Sequence, residues 1–291
     1  MSATASARRA EALAARLPPL LVAAERVAAT VAQGVHGRRR VGQGDSFWQF
    51  RPFLAGDPVG RIDWRQSAKT DRTFIRETEW EAAQTVCLWR DASASMRWRS
   101  RAAPVEKIAR AELLTLALAA LLLRGGERVK LIGAGMRPLA GRSALDAIAA
   151  AIQRRGEAEK ETGTPADFAQ PRHARAVLMG DFLGPLPEIQ AAIGRFAAIP
   201  LRGHVLQILD PAEEALPYEG RVRFEGLERE GETLISRVDG VRDAYARKLA
   251  AQQDGLRAAC QAAGWSFAVH RTDGPPEAAL MALYTALAPV R

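Results

Sequence analysis

Hydrophobic residues recur at three- and four-residue steps through residues 8–33, at Leu13, Leu17, Leu20, Val27 and Val31. That period predicts a helix, kinked or split at Pro18-Pro19 and ended by Gly34 and Gly37. Residues 35–83 lack a long helical period. Glycine, aromatic and charged residues mix there, which predicts extended segments and turns, with one turn at Gly56-Asp57-Pro58 and a strand near Phe74, Glu79 and Trp80. From residue 84 short apolar runs alternate with longer helical patterns. Strands are expected over 85–90, 128–132, 174–179, 204–209 and 265–270. Helices are expected over 105–124, 143–154, 186–198, 241–263 and 276–288, with a hairpin over 222–236 around Gly231.

This alternation predicts an α/β fold with a doubly wound, mostly parallel sheet, because short, near-continuously apolar strands need helices on both faces. The chain is expected to divide into an N-terminal helical segment (1–34), an extended accessory segment (35–83) and an α/β domain (84–291). In such sheets ligands bind beyond the C-terminal ends of the strands, so function is sought there.

Composition narrows the classes. Hydrophobic residues make up 48% and charged residues 25% of 291, an ordinary globular balance. The two cysteines, Cys87 and Cys260, make no disulfide framework and fit a reducing compartment. The apolar stretch from Leu17 to Ala24 is short and broken by prolines, and no run approaches the roughly 20 apolar residues of a membrane span. A cytoplasmic protein is expected. The formal net charge is +8, but 33 acidic residues are interspersed among 41 basic ones. The basic run Arg38-Arg39-Arg40 has no nucleic-acid motif beside it, so a solvated basic surface or a dock for an acidic partner is favoured over nucleic acid. No Gly-x-Ser-x-Gly elbow or GxxxxGK[ST] loop occurs, and the four histidines have no metal-ligand spacing, so no enzyme is expected.

Two strand ends are chemically alike. The strand over 85–90 runs into Asp91-Ala92-Ser93-Ala94-Ser95, and the strand over 174–179 runs through Gly180 into Asp181. If both lie at the topological break of the sheet, their carboxylates approach each other and call for a proton or cation between them. Hydroxyls of Ser93 and Ser95 complete a hard-oxygen set suited to Mg2+, with Mn2+ as the alternative, rather than Zn2+. The plainer reading has these residues capping the helix that follows.

The Asp-x-Ser-x-Ser loop resembles the metal-ion-dependent adhesion site of von Willebrand factor A-like domains. Together with the upstream block FWQFRPFLAGDPVGRIDWRQSAKTDRTFIRETEWE and the later GDFLGPL, it resembles the bacterial domain of unknown function 58 family over about residues 35–287. The resemblance implies a von Willebrand factor A-like sheet with a short antiparallel edge strand. It implies metal ligation by Asp91, Ser93, Ser95 and, directly or through water, Asp181. A threonine of an intervening loop matches Thr164 first and Ser143 second. It also implies a MoxR-type AAA+ ATPase as partner, supplying an acidic residue to the metal. A structural scaffold with a vestigial metal site and a metal-dependent hydrolase stand as alternatives. Arg51, Asp57, Arg61, Trp64 and Arg65 admit two readings: an internal brace, with arginines paired to Asp57 and Asp63 and with Trp64 and Phe53 packed on the sheet, or a partner-facing surface anchored by Arg and Trp.

Overall fold

The structure, a computed structural model, describes residues 21–32, 41–79, 84–141, 143–158, 163–165, 174–199, 201–227 and 231–287. The proposed kink at Pro18-Pro19, the Arg38–Arg40 run and Trp80 lie outside them. Residues 34–83 form one compact unit, and the rest of the chain forms the other.

In the smaller unit, β1 (Val41–Pro52) pairs antiparallel with β2 (Phe74–Glu79) in an irregular register. Between them the chain turns at Leu54–Asp57, where the Asp57 amide donates to the Leu54 carbonyl at 3.0 Å. Gly56 takes φ +106° there, a conformation that favours glycine. A single-turn helix α2 (Trp64–Ser67) follows, its N-terminus capped by Asp63, which accepts from the Gln66 amide at 2.8 Å.

In the larger unit, helix α1 (residues 21–32) buries Ala24, Val27, Ala28 and Val31, the stripe its spacing predicts. The central sheet has five parallel strands: β3 (Thr85–Arg90), β4 (Arg128–Leu131), β5 (Arg175–Gly180), β6 (Arg202–Leu209) and β9 (Ser266–Arg271), in the order β4-β3-β5-β6-β9. The chain leaves β3 toward one side, returns from β4 across it, and continues to the other side. The break therefore falls between β3 and β5. This is the doubly wound, von Willebrand factor A-like arrangement.

Helices cover both faces. On one face α3 (Lys107–Arg124) packs on β3, β5 and β6, flanked by α4 (Ala144–Ala158) and α8 (Pro276–Ala286). Because the sheet and both neighbours surround it, α3 is apolar nearly all round, and Leu114, Leu116, Leu118 and Leu121 are all buried. It stops where Gly125 and Gly126 turn the chain. On the other face α5 (Leu186–Ala197) and α7 (Arg242–Ala262) supply Ile189, Ile193, Phe196, Leu256 and Cys260 to a core with Cys87, Trp89, Ala176, Leu178, Val205 and Trp265. A one-turn helix α6 (Pro211–Ala215) follows β6, and a small antiparallel hairpin, β7 (Val222–Glu225) and β8 (Glu232–Ile235), precedes α7. Among the described residues no helix is long and apolar enough to cross a membrane.

The antiparallel edge strand expected from the family resemblance is reduced to one bridge, in which Val129 and Leu139 exchange both backbone hydrogen bonds at 2.8 Å. Left-handed Gly133 and Gly135 bring the chain back, and Pro138 has no N–H to extend the ladder.

Gly203 at the start of β6 lies beneath the indole of Trp265, whose Nε1–H donates to the Leu201 carbonyl at 3.0 Å. A Cβ at residue 203 would fall inside the van der Waals surface of that ring. Gly203→Ala is expected to lower the unfolding free energy by about 2 kcal/mol, the cost of overpacking a fixed ring. Denaturant unfolding followed by tryptophan fluorescence reads the loss, and an unchanged midpoint would contradict this packing.

Candidate functional site at the carboxyl edge of the sheet

The parallel ladder between β3 and β5 runs one residue past the end of β3, with the Asp91 amide donating to the Met179 carbonyl at 2.7 Å. Asp91 is thereby fixed at the topological break, fully buried beside Gly180. A Cβ on Gly180 would lie 2.9 Å from the Asp91 Cβ and 3.1 Å from its Oδ2, so this glycine makes room for the carboxylate. Gly163 approaches from the loop before β5, and a Cβ there would be 3.5 Å from the same oxygen. Two glycines thus bound a cradle around Asp91 Oδ2.

The other oxygen, Oδ1, accepts from the Ser93 amide at 2.8 Å and folds the loop back on itself. Ser93 Oγ and Ser95 Oγ lie 3.1 Å apart. Ser93 precedes a short 3-10 turn, Ala94–Arg97, yet its side chain makes no capping bond to that turn, and the N-cap of α3 is Glu106. The simple capping reading therefore does not account for Ser93. Ser93 is buried and Ser95 is half-exposed, so the hydroxyl pair runs from the interior toward solvent.

Thr164 follows Gly163 directly and is half-buried, on the loop that backs Asp91. Ser143 is exposed at the head of α4. The structure thus brings the Thr164 segment against Asp91.

Asp181 follows Gly180 and is buried, but its carboxylate is engaged. Oδ2 accepts from Lys107 Nζ at 2.8 Å, and Gln207 Nε2 donates to its backbone carbonyl at 2.8 Å. Phe182 then turns the chain in a left-handed conformation (φ +48°), unusual for an aromatic residue, and is buried with its ring 6.0 Å from that of Trp89.

Lys107 is the residue that sequence reasoning missed. It opens α3 with no solvent exposure and donates both to Asp181 and to Glu213 Oε1. Burial acts to lower its pKa, but the two carboxylates overcome that and raise it above the ordinary lysine value. Burial also raises Glu213, against the pull of Lys107. Glu213 is fixed by a capping box on α6: its Oε2 accepts from the Asp210 amide, and Asp210 Oδ1 accepts from the Ala212 amide, each at 2.8 Å. Asp210 Oδ2 accepts from the Ser100 amide at 2.8 Å, tying the loop after β3 to the end of β6. The sequence signal was Asp210-Pro211-Ala212-Glu213, a readable capping pattern with Pro at the first helical position.

Among the described residues two histidines are buried. His270, at the end of β9, has Nε2 2.8 Å from Arg110 Nη1, whose guanidinium also donates to the Gly274 and Thr272 carbonyls. His204, at the opposite edge, has Nδ1 2.6 Å from Ser266 Oγ.

In the smaller unit, Arg51 and Asp57 form a two-pronged ion pair with both N···O distances 2.7 Å, and Asp57 also accepts from the Leu54 amide. Here the expected brace is present, although Asp63 caps a helix. Trp64 is 66% exposed and does not pack on a sheet. Leu54, Val59 and Arg65 are exposed as well.

Among the described residues no three or more His, Cys, Asp or Glu side chains are grouped to hold a metal. A cation at this edge must draw on hydroxyls. The Asp91–Ser93–Ser95 set, with its glycine cradle and hard-oxygen donors, fits a small divalent ion on those terms.

A doubly wound parallel sheet carrying Asp-x-Ser-x-Ser at its topological break defines the class of von Willebrand factor A-like domains. Within it, this chain belongs to the family described as protein of unknown function DUF58, whose model matches residues 49–255. It is similar to the uncharacterized proteins Rv1480 of Mycobacterium tuberculosis and Mb1516 of Mycobacterium bovis. Each is 27% identical over 276 residues, covering 90% of this chain and 85% of the relative. The crystal structure of conserved hypothetical protein BatB from Bacteroides thetaiotaomicron covers 70% of this chain and 98% of its own, at 14% identity and a TM-score of 0.37. A likeness that distant carries no argument about function.

Burial lowers the pKa of His204 to about 4, and burial with the neighbouring Arg110 does the same for His270. Unfolded histidines titrate near 6.5. Between those values the unfolded chain binds more protons, so stability falls as pH drops from about 6.5 toward 4 and is unaffected by these groups above that window. Each histidine contributes at most about 1.4 kcal/mol per pH unit. His204→Asn is expected to remove one proton from the slope of unfolding free energy against pH, and an unchanged slope would refute the buried neutral state.

Proposed function

We propose that this protein is a Mg2+-dependent protein-binding module that serves as an adaptor for a MoxR-type AAA+ ATPase. One observation carries the reading: Asp91 is buried at the topological break with its Oδ2 in a glycine-bounded cradle, beside paired hydroxyls of Ser93 and Ser95 that lead toward solvent. Asp91 would hold the cation, Ser93, Ser95 and Thr164 would complete its oxygen shell, and Asp181 would join it directly or through water. Mn2+ would be accepted in place of Mg2+. A cation held there would let a glutamate or aspartate of the partner bind to it. The net charge of +8 favours approach of an acidic surface. Arg51, Asp57, Arg61, Trp64 and Arg65 would supply a second contact, in which the exposed Trp64 is the natural anchor. The partner class follows from the family resemblance, and the role is binding rather than turnover.

The test is affinity capture from native lysate with the full-length protein, in excess Mg2+ and in excess chelator, with Asp91→Ala run in parallel. An AAA+ ATPase identified by mass spectrometry is expected with the native protein in Mg2+ alone, and recovery is expected to fall at least tenfold with chelator or with Asp91→Ala. Equal recovery in all arms would move the interface away from the metal site. Phosphomonoester or nucleic-acid turnover that disappears in Asp91→Ala would replace the binding module with a hydrolase.

A further inference from the structure

The loop that leaves β3 continues past the serines to a second anchor. The Ser100 amide donates to Oδ2 of Asp210, the residue after β6. Because β5 lies between β3 and β6, the stretch from Asp91 to Ser100 crosses the carboxyl end of β5. Beyond Ser100 the loop is strapped to itself. The Ala102 amide donates to Ser100 Oγ at 3.2 Å, the Ala103 amide to the Ser100 carbonyl at 3.3 Å, and Arg99 Nη1 to the Ala103 carbonyl at 3.2 Å.

Residues 92–105 carry Arg97, Arg99 and Arg101 and no acidic residue. All three arginines are exposed, and Trp98 among them is half-buried. Arg99 bonds a neutral carbonyl, which leaves its positive charge in place. Acidic groups on the neighbouring strand ends are engaged elsewhere. Asp181 and Glu213 accept from Lys107, Asp210 accepts from the Ser100 and Ala212 amides, and Glu214 and Asp273 pair with Arg271. The rim therefore presents guanidinium groups on a loop of fixed shape. Arginine binds carboxylates with two parallel bonds, and Arg and Trp are enriched where proteins meet. A loop already held in place loses little freedom when it is bound.

We propose that Arg99 and Arg101 form a second recognition element at this rim, which binds carboxylates of an acidic protein segment lying across the end of β5. The inference deepens the metal-dependent reading above and rests on it: one carboxylate of the segment goes to the cation, and others near it go to the two guanidinium groups. The partner is thus an acidic stretch rather than one isolated glutamate. A protein segment fits better than nucleic acid, because Glu106, Glu214 and Asp273 are exposed at the same edge and would repel a continuous run of phosphates.

The experiment is binding of fluorescein-labelled hexaglutamate to the full-length protein, read by fluorescence anisotropy in Mg2+ and in excess chelator. Hexaglutamine and a labelled oligodeoxythymidine are measured beside it. Native protein is expected to bind hexaglutamate at least about tenfold more tightly than hexaglutamine, and Arg99→Gln/Arg101→Gln to lose at least about tenfold, as the loss of a charge-assisted contact predicts. Arg128→Gln/Arg202→Gln removes the same charge from exposed positions at the amino ends of β4 and β6 and should change affinity less than about twofold. Arg101→Gln alone leaves the bonds that strap the loop intact and should weaken binding in the same direction.

Chelator-sensitive binding that is unchanged in Arg99→Gln/Arg101→Gln would overturn the inference and leave the metal-dependent reading standing. Binding lost in that variant but indifferent to chelator would support the arginine element and count against the metal-dependent reading. Equal loss in both double variants would overturn the inference, with overall charge as the cause. Oligodeoxythymidine bound as tightly as hexaglutamate through the same arginines would replace the acidic protein segment with nucleic acid. Failure of native protein to bind hexaglutamate in Mg2+ would overturn the inference outright.

Discussion

The ion pairs of Lys107 organise the carboxyl edge of the sheet. An ammonium without solvent is costly unless several acceptors surround it, and two carboxylates from different elements meet that need. Each of those carboxylates is positioned by its own local structure. Asp181 directly follows β5, and Glu213 belongs to the capping box of α6. Through Asp210 the same network reaches the loop after β3. Three consecutive strand ends of the sheet, β3, β5 and β6, are thus joined by charge-assisted bonds. The N-terminus of α3 is held against them by the residue that opens the helix.

A second constraint is the close approach of chains at the topological break. The β3–β5 ladder continues to Asp91, and Gly180 lies where any Cβ would strike that side chain. A glycine at the end of an otherwise apolar strand is weak by strand propensity. Its use is the space it leaves. The loop carrying Ser93 and Ser95 then has one path outward, because Asp91 Oδ1 pulls the Ser93 amide back toward the sheet.

Much of this architecture was legible in the sequence. The strands and helices of the larger unit fall within a few residues of their apolar runs, because doubly buried strands and a sandwiched helix such as α3 leave strong patterns. Asp91, Ser93, Ser95 and Asp181 were readable as strand-end residues, and the order of strands does bring the two ends side by side. Lys107 was not readable. In Val105-Glu106-Lys107-Ile108 it looks like one charged residue at the solvated start of a helix, and its burial is decided by Asp181 and Glu213, which lie far along the chain. The antiparallel edge was overestimated, since Pro138 limits it to a bridge. In residues 41–79 the long irregular hairpin was hidden because its glycine- and charge-rich texture has no clean alternation.

Buried charge seldom improves stability over a well-packed apolar alternative, and replacing an ion-pair network by hydrophobic residues is often neutral or stabilising by a few kcal/mol. Away from that rim, α5 and α7 bury apolar side chains against one face of the sheet. The charged groups at the edge are instead concentrated where an open α/β sheet presents its strand ends to a ligand. There the fold also accepts a left-handed aromatic at Phe182, next to Asp181. Local rules broken together at the rim where the sheet topology breaks fit the binding role proposed for it better than a purely structural one.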